Sequence, residues 1–434
     1  MAQTSGREIA VETLLLITQK GEYSHIVLKN VLDKYQYLEK KERAFITRVV
    51  DGTLERMIEL DYIIDQFSKV KTDQMKPVIR TILRSSVYQL KYMDSVPDSA
   101  VCNEAVKLTV KKGFGGLKGF VNGVLRSIGR NIARVKYPER NDIVSYISIK
   151  YSLPEWILRQ WLDTYDVNTV IAIGEEFLKE KPLSIRCDTS KISADDLQKR
   201  LKEEGALAEL SGELPYALYL TGYDHLAGLK SFRDGLFYVQ DISSMQVAEW
   251  ADPKEGSEII DVCAAPGGKA LHLAQRMRGT GHVTACDVSA NKVMQIEENI
   301  ERSRLENIDA FCWDATVCNE AWVDAGDIVI ADLPCSGLGV LGKKPDLKYR
   351  MTQAQQRELV MLQRKILSNI SAYVKPGGVL LYSTCTICRE ENEENAAWFA
   401  EMFPWFKLLR EQQMLPGRDA GDGFYIAMFQ RENA

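Results

Sequence analysis

From about Leu229 to the end, the chain alternates short apolar runs with longer stretches of helical periodicity, and few folds accept that order. Glu258 to Val262, His282 to Cys286, Ala310 to Trp313, Asp327 to Ala331 and Val379 to Ser383 read as strands. Asn291 to Arg302, Gln353 to Val374 and Glu390 to Met402 read as amphipathic helices. The alternation predicts a parallel, doubly wound, Rossmann-like sheet, in which ligands gather at the carboxyl ends of the strands. The residues standing at those ends then decide the chemistry.

The first strand runs into Asp261-Val-Cys-Ala-Ala-Pro-Gly-Gly-Lys269 and then a helix. Gly267 and Gly268 allow close backbone approach, and the helix start presents free amides. By themselves the glycines are accounted for by an ordinary turn, since neither G-x-G-x-x-G nor a P-loop is present. Asp287 ends the second strand, placed to accept from both hydroxyls of a ribose, and Asp314 ends the third, within reach of an adenine amino group. Gly-Gly, Asp and Asp at three strand ends form a nucleoside pocket without a pyrophosphate grip. S-adenosylmethionine suits it better than NAD.

The next two strand ends carry Asp332-Leu-Pro-Cys-Ser-Gly337 and Ser383-Thr-Cys385. A free cysteine is usually an inert small hydrophobe, which covers Cys102, Cys187, Cys263, Cys286, Cys312 and Cys318. Cys335 and Cys385, each just past a strand terminus on the ligand side, call for another explanation. Cys385 and Cys388 form a C-x-x-C, but zinc needs two more ligands and none of the four histidines stands near; no metal is expected.

A thiol, an acid and a methyl donor together fit one reaction. Carbon 5 of cytosine is a poor nucleophile until a thiolate adds to carbon 6 and makes an enamine. Asp332 would hydrogen-bond the ring N3 and the exocyclic amine as charge develops. The other thiol, or a water it positions, would help remove the carbon 5 proton and resolve the adduct. The residues alone leave open which of Cys335 and Cys385 attacks.

Ahead of this region the chain reads as helical, with apolar positions at Ile46, Val49, Val50, Leu54 and again at Ile79, Ile82, Leu83, Val87. Residues 1–134 hold 22 Lys and Arg against 15 Asp and Glu, although the whole chain carries −5. The excess is densest at Lys107, Lys111, Lys112, Lys118, Arg126, Arg130 and Arg134, which predicts a phosphate-contacting module; a solvated helix face accounts for the charge equally well. A polar linker near Lys136 to Asp142 precedes a helical start at Leu153-Pro-Glu-Trp156, and residues 181–225 suggest a small α/β connector. No run approaches the length of a membrane span, and Ile9 to Ile17 lacks the basic lead and cleavage site of a secretion signal. With nine scattered cysteines, a cytoplasmic chain with reduced thiols is expected.

Asp98-Ser-Ala-Val-Cys-Asn-Glu-Ala105 and Phe120-Val-Asn-Gly-Val-Leu-Arg126 resemble the NusB-type RNA-binding fold. Asp261 to Lys269, Ala331-Asp-Leu-Pro-Cys-Ser-Gly337 and Tyr382-Ser-Thr-Cys385 resemble the RNA 5-methylcytosine methyltransferases of the RsmB/NOP/NSUN group. The combination extends over the full chain and resembles the bacterial members that act on 16S ribosomal RNA. It implies a NusB-like helical domain at 1–134, a connector assisting RNA binding at 140–228 and a Rossmann-like methyltransferase domain at 229–434. It also implies S-adenosylmethionine held by Cys263, Ala264, Ala265, Pro266, Gly267, Gly268, Lys269, Asp287, Asp314 and Asp332. The resemblance decides between the thiols: Cys385 is the implied nucleophile, with Cys335 and Asp332 assisting. Gln240-Asp-Ile-Ser-Ser244 matches a segment the family keeps beside its cofactor. Leu333 replaces the usual small residue, and Ile185-Arg-Cys-Asp188 stands where Arg-x-Asn is usual. RNA is the implied partner, with no membrane, metal or obligate protein partner. A tRNA cytosine methyltransferase and a non-catalytic antitermination-like RNA binder are the alternatives; the latter leaves the strand-end cysteines idle.

Overall fold

The computed structural model describes residues 5–433. It divides into two compact units: the first runs through Leu178 and takes in Leu341–Met351, and the second comprises Lys179–Val340 and the chain from Thr352 onward. No helix among the described residues is long and apolar enough to cross a membrane.

The first unit is helical, from Gly6–Lys20 to Val167–Phe177. Its helices form because apolar residues recur every three or four positions and their ends are satisfied locally. Ser5 caps the first helix by accepting the Glu8 N–H, and Gly21 closes it in the left-handed conformation. Pro77 opens the helix Pro77–Tyr92, whose face of Ile79, Ile82, Leu83 and Val87 is buried against Val121, Leu125 and Ile128. The basic stretch falls on the helices Asp98–Lys111 and Lys118–Asn131.

Leu341–Met351 is unmarked in the sequence pattern, yet it is anchored by buried polar bonds. Ser24 donates its N–H (3.3 Å) and hydroxyl to Asp346. Lys348 Nζ donates to the Glu55 carbonyl at 2.7 Å and Tyr349 to the Leu54 carbonyl at 2.8 Å, both at the C-terminus of the helix Lys40–Glu55. Those carbonyls have no intrahelical donor, and a cation there also meets the negative end of the helix dipole. Burial lowers the Lys348 pKa to about 7.

The second unit has two sheets. β1 (Leu183–Cys187), β2 (Leu207–Leu210), β3 (Ala217–Thr221) and β4 (Phe237–Val239) form an antiparallel sheet in the order β2-β3-β1-β4, with the helix Ala194–Glu203 crossing from β1 to β2. β5 (Glu258–Asp261), β6 (His282–Asp287), β7 (Ile308–Cys312), β8 (Gly326–Asp332), β9 (Val374–Thr384), β10 (Phe406–Met414) and β11 (Phe424–Arg431) form the larger sheet in the order β10-β11-β9-β8-β5-β6-β7. β5 to β9 are parallel, as the alternation predicts.

Three details differ from the sequence reading. The sheet has seven strands rather than five and is mixed, because β11 runs antiparallel to β9 and β10 to β11. β10 is an edge strand with five exposed residues, so its apolar signal is diluted. The helix expected over Gln353 to Val374 stops at Ile370; Val374 opens β9, two residues before Pro376, which disfavours helix in the residue preceding it. The last helix starts at Glu393, after a tight turn at Arg389–Glu391.

Arg186 on β1 is buried to 1% exposure. Its Nε donates to Gln240 Oε1 at 2.7 Å, its Nη1 donates to Gln275 Oε1, and its guanidinium lies 4.9 Å from the Tyr238 ring centroid. Gln275 in turn donates to the buried Asp188 at 2.8 Å. Burial lowers the Arg186 pKa to about 10. The arginine therefore ties β1 to the segment Gln240–Ser244 and to the helix Gly268–Arg276. Arg186→Ala is expected to leave a cavity and two unpaired amide oxygens, costing about 3 kcal/mol. Calorimetry should record a fall of several degrees in the second unit's unfolding transition, and a smaller fall for the volume-filling Arg186→Met.

Candidate active site

Every strand-end residue singled out above lies at the carboxyl edge of the larger sheet, because parallel strands point their ends the same way. The turn after β5 is held by the Ala264 N–H, which donates to the Cys286 carbonyl at 2.7 Å. Gly267 takes φ 101°, a value side chains resist, and the helix Gly268–Arg276 begins immediately after it. Along the turn Cys263 and Ala265 are half-buried, Ala264 is buried and Pro266 is exposed. Burial drives the Cys263 thiol well up.

Asp287, ending β6, is 3% exposed. It accepts the Ala265 N–H at 3.2 Å and the Val288 N–H at 2.8 Å, and Lys292 Nζ lies 3.0 Å away. Asp314, just beyond β7, is exposed; the Thr316 N–H at 2.8 Å holds its carboxyl below the ordinary value.

Asp261 is the residue the sequence reading passed over as functional. It is fully buried, and neither carboxylate oxygen has a hydrogen-bond partner among the described residues. Burial, and the neighbouring charge of Asp332, raise its pKa to about 7. An orphaned buried carboxylate is costly and fits a cationic ligand group. Its place at the first residue of the Asp261–Lys269 motif, on a strand end, was the available signal.

β8 and β9 pair in parallel register with Asp332 opposite Ser383. Ser383 Oγ donates to Asp332 Oδ1 at 2.8 Å, and Lys269 Nζ donates to Oδ2 at 2.6 Å. Both chains then turn together, for the Leu333 N–H donates to the Ser383 carbonyl at 3.0 Å and the Gly339 N–H to the Cys385 carbonyl at 3.1 Å. Gly339 is required at this crossing, since a Cβ would stand 2.1 Å from the Gly423 carbonyl oxygen. The result brings Cys335 Sγ and Cys385 Sγ to 3.3 Å.

A buried network fixes both turns. Glu391 accepts the Ser336 N–H at 2.9 Å and the Ser336 hydroxyl at 2.5 Å. Gln363 donates to Glu391 at 3.0 Å and to the Pro334 carbonyl at 2.9 Å, while Ser336 and Thr386 share a hydroxyl bond at 2.8 Å. Sequence reasoning missed this set; a glutamine on the buried face of an amphipathic helix was the one legible sign. Burial raises the Glu391 pKa, against the pull of these donors.

Charge is distributed unequally across the thiol pair. Cys335 is held well above the ordinary thiol value by its hydrogen bond to Cys385, by burial, by the charge of Cys385 and by Glu391. On the other side stands Lys269: burial opposes its charge, but Asp332, with smaller contributions from Asp261 and Cys385, outweighs burial and raises its pKa.

Among the other cysteines, Cys102, Cys187, Cys286 and Cys388 are buried, but Cys312 and Cys318 are exposed and fill no core. Among the described residues no group of three or more His, Cys, Asp or Glu is placed to hold a metal ion. On the helical unit, Lys107 pairs with Glu104 at 2.7 Å, Lys111 with Glu8 at 2.6 Å, and Lys112 with Glu8 at 3.5 Å and with Glu12. Lys118, Arg126 and Arg130 are exposed and make no ion pair among the described residues.

Residues 248–430 match the family model described as 16S rRNA methyltransferase RsmB/F, residues 4–130 match the NusB family, and residues 153–224 match the ferredoxin-like domain of RsmF/B-like methyltransferases. The probable ribosomal RNA small subunit methyltransferase B of Bacillus subtilis is 35% identical over all of both chains. The chain belongs to the RsmB/F methyltransferase family. The solved structure of PH0851 has the same fold, with a TM-score of 0.84 at 24% identity over 99% of each chain. A methyltransferase homologue from Pyrococcus horikoshii aligns with a TM-score of 0.58 at 28% identity, covering 66% of this chain and 97% of its own.

Glu391→Gln should retain the hydrogen-bonded frame but remove the negative charge that helps to raise the Cys335 pKa, so that pKa should fall. Alkylation with iodoacetamide across pH, read by peptide mass spectrometry, should show Cys335 reacting at lower pH than in the wild type.

Proposed function

We propose that this methyltransferase modifies carbon 5 of a cytosine in 16S ribosomal RNA, with S-adenosylmethionine as donor and Cys385 as covalent nucleophile. The observation that carries the reading is the thiol pair, two sulfurs 3.3 Å apart just beyond neighbouring parallel strands, on the edge that also holds Asp332 and Lys269. The Bacillus subtilis relative's name supports ribosomal RNA as the substrate.

S-adenosylmethionine supplies an electrophilic methyl when bound, and its cationic groups suit the acidic set of Asp261, Asp287 and Asp332. In this reading the turn Cys263–Lys269 holds it by backbone, Asp287 by the ribose hydroxyls and Asp314 by the adenine edge. Cys385, as its thiolate, adds to cytosine carbon 6. Asp332, oriented by Ser383 and Lys269, accepts from the exocyclic amine, and N3 takes a proton from solvent as charge builds there. Once Cys385 is bonded to carbon 6, its charge and hydrogen bond are gone. The largest cause of the raised Cys335 pKa goes with them, so once carbon 5 has taken the methyl, Cys335 passes its proton to solvent and takes the one on carbon 5, and the electron pair of that C–H bond restores the double bond to carbon 6 as the sulfur leaves. Release of Cys385 completes the cycle.

Cys385→Ala should abolish methylation and any covalent protein–RNA species. Cys335→Ala should still form the bond and release it slowly, so a denaturant-stable complex should accumulate with the donor present. Denaturing electrophoresis with radiolabelled RNA, alongside bisulfite sequencing of RNA from a deletion strain, tests both; a shifted band for Cys385→Ala and none for Cys335→Ala would reverse the assignment.

The exposed cations of the NusB-like region are assigned to phosphate contacts in this reading. Replacing Lys118, Arg126 and Arg130 together with Gln should weaken RNA binding and lower the slope of log affinity against log salt by roughly 2 to 3. Donor binding, measured by calorimetry, should be unchanged.

A further inference from the structure

The first unit holds an open cavity of about 540 Å³ that the methyl-transfer site does not use. Part of its lining is organised by Glu59, a buried carboxylate that accepts from Lys91 Nζ at 2.5 Å, from the Tyr137 hydroxyl at 2.7 Å and from the Tyr92 hydroxyl. Arg56 lies 4.2 Å from the Tyr92 ring centroid. One acid thus fixes two aromatic rings and takes up the charge of the cations nearest to it. The rest of the lining comes from the helix Ile143–Tyr151, where Tyr146 is half-buried and Tyr151 buried, and from Leu178 and Glu175, which accepts from the Tyr151 hydroxyl at 2.9 Å. Lys150 donates to the Tyr146 hydroxyl at 2.9 Å and lies 5.3 Å from each of these two ring centroids. It makes no ion pair with a carboxylate among the described residues, so its charge is available to a ligand.

Four tyrosine rings around a space of this size, with an uncompensated ammonium beside them, suit a planar heterocycle joined to a phosphate. We propose that this cavity is a second RNA contact, a slot that takes one unpaired nucleotide of the substrate RNA, its base against Tyr146 and its phosphate beside Lys150. Rings held by Glu59 and Lys150 lose little freedom on binding, which makes such a slot effective. Every base offers a π face, so the slot is indifferent to sequence but closed to duplex, whose bases are already stacked. The proposal rests on the reading that RNA is the substrate.

The test uses the full chain and two fluorescein-labelled probes, a mixed-sequence 15-nucleotide single strand and a blunt duplex of equal length, read by anisotropy. Tyr146→Ala should weaken the single strand on the order of 10-fold and leave the duplex within about 2-fold, while Tyr146→Phe, which keeps the ring but not its bond to Lys150, should lose no more than about 3-fold. Lys150→Gln should weaken the single strand and lower its salt slope by about 1. Unchanged single-strand affinity in Tyr146→Ala, with an unchanged melting curve, would overturn the slot. Equal loss for both probes would overturn it in favour of a phosphate surface. The two readings fail separately: wild type that methylates 16S RNA while Tyr146→Ala binds normally refutes only the slot. Wild type that never methylates, yet loses single-strand binding in Tyr146→Ala, refutes only the methyltransferase assignment and keeps the slot.

Discussion

The parallel pairing of β8 with β9 is the constraint on which the candidate site depends. Because Asp332 stands opposite Ser383 in that register, the chain segments leaving the two strands run side by side, and residues 50 apart in sequence meet at 3.3 Å. A slip of one residue would turn every side chain of one strand to the other face and separate the thiols. The register is held by apolar burial on both faces, with Val329, Ile330, Leu380 and Leu381 all fully buried. Core packing and reactive geometry are thus one problem here, solved by one pair of strands.

Around that pair the protein uses charges that are costly in isolation. Lys269 is 13% exposed, yet it keeps its proton because Asp332 lies 2.6 Å away. Glu391 is fully buried, yet three donors hold it beside the Cys335 turn. Neither Asp261 oxygen meets a hydrogen-bond donor in good geometry among the described residues, and burial raises its pKa to about 7. Buried carboxylates are normally satisfied, which Glu391 is and Asp261 is not.

The strand-end acids, the glycine turn and the two cysteines were legible in the sequence because each follows a short apolar run, and the parallel fold brings such positions to one edge. The Gln363–Glu391–Ser336 network was not, because its members are polar residues drawn from a helix, a turn and a loop with no shared spacing. The anchored segment Leu341–Met351 was hidden for a related reason. Asp346, Lys348 and Tyr349 look like ordinary surface residues until the C-terminus of the helix Lys40–Glu55 supplies carbonyls for them to satisfy. The basic stretch was visible as charge, but only folding shows that Lys107, Lys111 and Lys112 face acids while Lys118, Arg126 and Arg130 do not.

The sequence by itself determined the order of helices and strands, and with it the edge of the sheet where chemistry can occur, because apolar periodicity is a local property of the chain. It could not choose between two cysteines of like setting without appeal to a family. Only the tertiary structure brought the two sulfurs to 3.3 Å and set the charges of Glu391 and Lys269 within electrostatic reach of the pair. Electrostatic bias depends on through-space distances that no sequence spacing records.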